Sequence, residues 1–141
     1  MRIRRAIVIA LPAVLVAGLA AFVADSGIAQ RRARSISCAS SVVAICSAGR
    51  LWAEDHGGRF PTNFASMSNE LSTPRILSCL PDQHPRAADW SEFTPENCTY
   101  EILAPGVHED ATNTVFLRCT IHGHLGYPDM TVFDGSRRRR K

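Results

Sequence analysis

From Ala6 to Ala24 the chain runs without a charge, apolar or small throughout apart from Pro12, directly behind Arg2, Arg4 and Arg5. As a helix rising about 1.5 Å per residue, that run is roughly 28 Å long, close to the thickness of a bilayer's hydrocarbon core. A segment used this way contributes nothing to a water-facing domain. Of 141 residues, those from about Gln30 onward then remain for folding, which suffices for one small domain.

Two readings of the run stay open. As a retained signal anchor it would present Ala6, Ile7, Val8, Leu11, Leu15, Leu19 and Phe22 to lipid, and its length exceeds the roughly 7–15 apolar residues of a cleaved signal. As a signal peptide it would be cut before Gln30, where Gly27 and Ala29 occupy positions −3 and −1. The leading arginines hold the N-terminus on the cytoplasmic side and place the domain outside. Arg31, Arg32 and Arg34 would then snorkel to the outer headgroups.

Charge is segregated along the chain. Between Ser35 and Asp134 five arginines face twelve carboxylates, a net −7, while the positive charge of the whole chain sits in the N-terminal arginines and in Arg137–Lys141. An acidic body is a poor phosphate-binding surface, so no nucleic-acid partner is expected. The basic end reads as a solvated tail, with anionic headgroups or an acidic neighbour as the functional alternative.

Within the remaining chain, Cys38, Val42, Ile45, Cys46, Gly49, Trp52 and Ala53 recur at steps of three and four, the stripe of a helix with one buried face. Gly57 and Gly58 supply a left-handed C-terminal cap and Pro61 prevents resumption, while no glycine or proline between Ile28 and Gly49 stops the helix earlier. Asn63–Leu71 is a short helix carrying Phe64, Met67 and Leu71 on one side, capped by Thr62 or Asn63 and ended by Pro74. Ile76, Leu77 and Cys79 read as an apolar β-like stretch leading into a turn-rich excursion. Thr99–Leu103, Thr114–Thr120 and Met130–Phe133 read as strands, with a break over Gly123–Asp129. The expected fold class is α+β: a long N-terminal helix, membrane-spanning then amphipathic, packed on a small antiparallel sheet.

The residues Arg34–Cys38, Ile45 and Leu51–Pro61, with Met67–Pro74, Leu77–Cys79, Cys119–Gly123 and Asp134–Ser136, are similar to the pilin-like proteins of type II secretion and type IV pilus systems. The likeness is strongest to the large pseudopilin-like sets of planctomycete and verrucomicrobial bacteria, and it covers roughly residues 30–136. Trp52, Asp55, Gly57, Phe60 and Pro61 carry it most specifically. The resemblance implies three parts: a signal anchor over 1–29, a pilin-like α+β domain over 30–136 and a basic tail over 137–141. It implies a single-pass protein of the bacterial inner membrane with its domain facing the periplasm. The role would be structural, in secretion or pilus-type machinery, with the membrane and other pilin-like subunits or further copies as partners and no cofactor. Signal cleavage would instead leave a periplasmic or secreted domain. In one place the pattern departs: Gly18-Leu19 puts Val23 where prepilins carry a Glu.

Five cysteines suit an oxidising compartment, and the odd count leaves at least one outside any intrachain disulfide. A Cys79–Cys119 disulfide would close a loop of about 40 residues and stabilise by roughly 2–4 kcal/mol. Cys38 and Cys46 lie about 12 Å apart along one helix, too far to pair, and read as small buried residues. Cys98 reads as a free thiol. The alternative chemistry is zinc: Cys119-x2-His122-x-His124, completed by Cys79 or His84, offers the sulfur and imidazole donors that zinc takes. It would make the chain a small metal-binding domain, secreted or anchored. A calcium loop at Asp129 and Asp134 has oxygen donors but no EF-hand spacing. Cys119 with His122, or Glu54 and Asp55 beside His56, are the pairs from which an enzyme could be imagined. No phosphate loop or oxyanion-forming turn accompanies them, so no catalysis is expected.

Overall fold

The computed structural model describes residues 2–79 and 85–135, with side chains from Ser26 onward. The side chains of the expected anchor, Ala6 to Phe22, lie outside the described residues, as do His84 and the basic tail. A single helix, α1, runs Arg2–Glu54. The chain divides into two units, Met1–Arg34 and Ser35–Lys141, and α1 passes from the first into the second. Within α1, Ser26–Glu54 has a mean hydropathy of 1.4 in its most apolar window and is long and apolar enough to cross a membrane or act as a signal. Part of that apolar surface is already occupied by the second unit, as the burial pattern shows.

In the second unit the inward face of α1 is the stripe expected from spacing. Cys38, Val42, Ile45, Cys46 and Ala53 are all at most 2 % exposed, which ties the periodicity to a closed helix–sheet interface. Trp52 is only half-buried and stacks face to face on His56, whose Nδ1 bonds the Trp52 carbonyl. Helix α1 ends where Gly57 and Gly58 turn left-handed, with φ of 67° and 75°, and the Gly58 N–H bonds back to the Ala53 carbonyl. A Cβ at Gly58 would also lie 2.9 Å from His108 Nε2. Gly58→Ala is therefore expected to destabilise the head by about 1–2 kcal/mol, read as a lower denaturation midpoint with an unchanged slope.

After the cap, Phe60 and Pro61 enter the core. A 3₁₀ turn Ala65–Met67 runs into the short helix α2, Ser68–Leu71, and together they bury Phe64, Met67 and Leu71 as the spacing required. Asn63 Oδ1 accepts from the Ser66 N–H at the start of this segment. Pro74 does not simply end a helix. It opens a second 3₁₀ turn, Pro74–Leu77, capped by the Thr73 side chain. Ile76 and Leu77 are therefore helical and not β-like, because proline at a first helical position is pre-set for a turn.

Four strands follow, β1 Tyr100–Ile102, β2 Leu117–Cys119, β3 His124–Gly126 and β4 Val132–Asp134, in an antiparallel meander of that order. β3 lies inside what the sequence presents as a break. It has three residues, no β-branched side chain and glycines at and beside its ends, so it carries little intrinsic strand signal. Gly126 places this strand against α1: a Cβ there would meet Cys46 Sγ at 2.6 Å and Val42 Cγ1 at 2.7 Å. Only a residue without a side chain allows the helix so close.

Candidate metal centre

Three segments remote in sequence converge at the end of this helix–sheet interface. Cys38 comes from α1, Cys79 from the exit of the second 3₁₀ turn, and Cys119 and His122 from the end of β2 and the turn beyond it. Their four ligand atoms all lie within 4.8 Å of one another. Cys38 and Cys119 are buried, while Cys79 and His122 are half-buried.

The backbone explains why Cys79 arrives there. Thr99 accepts the Cys79 N–H at 2.7 Å on Oγ1, while its own N–H and hydroxyl both bond the Leu77 carbonyl. On its other side the Thr99 carbonyl takes the Thr120 N–H and hydroxyl at 3.0 and 2.9 Å. One buried threonine thus pins the 77–79 segment beside the end of β2. The turn after β2 closes through the Gly123 N–H on the Cys119 carbonyl, which brings His122 back over Cys119.

Around the sulfurs, Cys79 Sγ and His122 Nδ1 are hydrogen bonded at 3.0 Å, and the His122 N–H donates to Cys119 Sγ at 3.4 Å. The buried Tyr100 hydroxyl lies 3.8 Å from Cys38 Sγ. Hydrogen bonds from the Cys38 and Cys79 thiols hold Cys119 below the ordinary thiol range. The same bond to Cys119 is the main reason that Cys79 is pushed up to about 11 and Cys38 far up. Burial raises the Tyr100 phenol, which keeps it a donor.

Of the residues singled out in sequence, Cys79, Cys119 and His122 meet. His124 does not join them: its Nε2 faces the Ser35 carbonyl and hydroxyl, each at 3.1 Å, and its ring lies 5.9 Å from that of His122. Cys38, read in sequence as a small buried residue, takes the fourth corner. The signal that could have found it is its place on the same inward stripe as Val42 and Ile45, one turn before them on the face that meets the sheet. All five cysteines are free thiols, Cys79 and Cys119 included. Cys46 is packed against the Gly126 position and pushed up to about 12 by burial, while Cys98 Sγ donates to the Tyr100 carbonyl. Neither belongs to the cluster.

The other expected chemistries lie elsewhere. Asp129 Oδ1 caps Thr131 through the Thr131 N–H and hydroxyl, and Asp134 is a strand residue opposite His124. Among the described residues neither takes part in a cluster of ligand atoms. Glu54, Asp55 and His56 are exposed at the end of α1. No family model, curated protein or solved structure matches the chain.

Proposed function

We propose that this chain is a pilin-like, membrane-tethered structural subunit whose α+β head faces the periplasm and carries out no catalysis. The observation that carries the reading is α1: one helix begins at the N-terminal arginines, passes through the apolar segment and ends as the core helix of the head. One part of the helix is buried in the head while another part is apolar enough for lipid, as a tethered subunit requires. The four-stranded antiparallel meander behind that helix agrees with the α+β head that the family resemblance implies.

A further feature favours assembly with like subunits. Ile36, Val43 and Leu51 are 68 %, 41 % and 52 % exposed and follow one another at steps of seven and eight, so they share one side of α1. An outward apolar stripe on a core helix suits packing against another helix. With Val23 in place of the family's Glu, such assembly would rest on this packing and not on an acid in the membrane segment.

Membrane fractionation with N-terminal sequencing of the mature protein tests the reading. The expected result is a chain in the membrane fraction that resists carbonate extraction and retains the apolar run. Soluble release with Gln30 as the first residue would overturn the tether.

A further inference from the structure

We propose that Cys38, Cys79, Cys119 and His122 bind one zinc ion as a tetrahedral Cys3His centre that fastens α1 to the sheet and to the 77–79 segment. The proposal stands independently of the pilin-like reading, since it uses only residues of the head. Three sulfurs and one imidazole nitrogen form a donor set that zinc takes in structural sites. Zn–S bonds of about 2.3 Å place tetrahedral ligand atoms roughly 3.8 Å apart, and these four atoms already lie within 4.8 Å of one another. Small side-chain movements complete the centre.

The stoichiometry of sulfur also points to a metal. Three thiols share one site, so a disulfide between any two leaves the third sulfur and the imidazole beside it outside the cross-link. A single tetrahedral ion uses all four. It also accounts for the odd number of cysteines, with Cys46 and Cys98 left as packing residues.

On binding, three S–H bonds break, their protons pass to solvent and three Zn–S bonds form, while His122 enters as neutral imidazole through Nδ1. The centre then carries a net charge of −1. Donors to offset that charge are in place: the His122 N–H points to Cys119 Sγ, and the buried Tyr100 hydroxyl sits beside Cys38 Sγ. Contacts of this outer kind orient ligands and tune a metal site. Four protein ligands fill the tetrahedron and leave no open position for water or substrate, so the centre is structural. Its mechanical effect follows from where the ligands come from. Cys38 is the only one on α1, and Cys79 and Cys119 close loops of about 40 residues each, which is where a cross-link constrains the unfolded chain most.

The test uses the full chain purified in detergent under reducing conditions without chelators. Elemental analysis is expected to give one zinc per chain. Replacement by cobalt is expected to give the absorption of a tetrahedral ion, with a sulfur-to-cobalt band whose intensity corresponds to three thiolates. Cys38→Ser should weaken zinc binding at least about 100-fold, whereas Cys98→Ser, beside the site but outside it, should retain one zinc at wild-type affinity. A wild-type protein that neither retains zinc nor binds it on titration would overturn the proposal, as would wild-type affinity in Cys38→Ser. Should Cys38→Ser fail to fold, the cobalt spectrum of the wild type decides: a two-thiolate intensity removes Cys38 from the centre, and a three-thiolate intensity retains it.

Discussion

Replacing Phe116 with alanine is expected to destabilise the head by about 3–5 kcal/mol, the range for removing a large aromatic side chain from a closed core. Phe116 is fully buried and meets the equally buried Phe60 edge to face, with ring centroids 4.7 Å apart. Its ring also closes over Gly49 of α1. The backbone at this position is shared by three strands' worth of structure, for the Phe116 N–H bonds the Gly126 carbonyl and its own carbonyl takes the Leu103 N–H. Neighbours held by that many bonds relax little, so a cavity persists and the loss falls at the upper part of the range. Phe133 supplies the comparison. It is 61 % exposed on β4, and Phe133→Ala should shift stability by less than about 1 kcal/mol. Denaturant unfolding of the full chain in detergent measures both, and equal effects at the two positions would mean that the helix–sheet interface is not the core.

The second large effect is expected on removal of metal. A ligand that binds the folded state alone adds about 4 kcal/mol when free at a thousandfold above its dissociation constant, and that contribution vanishes on chelation. For this head the loss should be uneven. The Thr99 node, the 77–79 segment and the turn over residues 119–123 surround the ligands, so amide protection there should fall first and furthest. The Phe60–Phe116 pair packs on α1 at Gly49, about three helical turns past Cys38, and it should retain protection until global unfolding. Uniform loss over the whole head, or none at all, would contradict a local staple.

How much of this was legible in the sequence differs between elements. The inward face of α1 was, because Cys38, Val42, Ile45 and Cys46 repeat at the helical period and nothing else explains that order. So was its end, since Gly57 and Gly58 are the residues for which a left-handed cap carries little strain. Strand β3 was not, because a His-Leu-Gly segment gains its place from the close approach that Gly126 allows to Val42 and Cys46, a tertiary cause with no local pattern. Ile76 and Leu77 looked like strand because they are apolar, whereas Thr73 and Pro74 just before them set a 3₁₀ turn.

The site divides in the same way. Cys119-x2-His122 is a local knuckle and can be seen in sequence, and Cys79 could be added as a sulfur near it. Cys38 lies 81 residues before Cys119 and meets it only through the packing of α1 on the sheet. His124 looked equivalent to His122, but His122 belongs to the turn after β2 while His124 opens β3 beyond the left-handed Gly123, and His124 faces Ser35 of α1. A sequence shows which residues could ligate. The fold decides which of them share a centre.

The central claim, that Cys38, Cys79, Cys119 and His122 act as one centre, is tested most directly by mapping thiol alkylation on the folded chain, without reductant, before and after chelation. The account predicts that Cys38, Cys79 and Cys119 resist alkylation together, become reactive together when a chelator is added, and show no disulfide-linked peptides. A Cys79–Cys119 linked peptide that persists in the native protein, with Cys38 reacting on its own and no response to chelator, would contradict it.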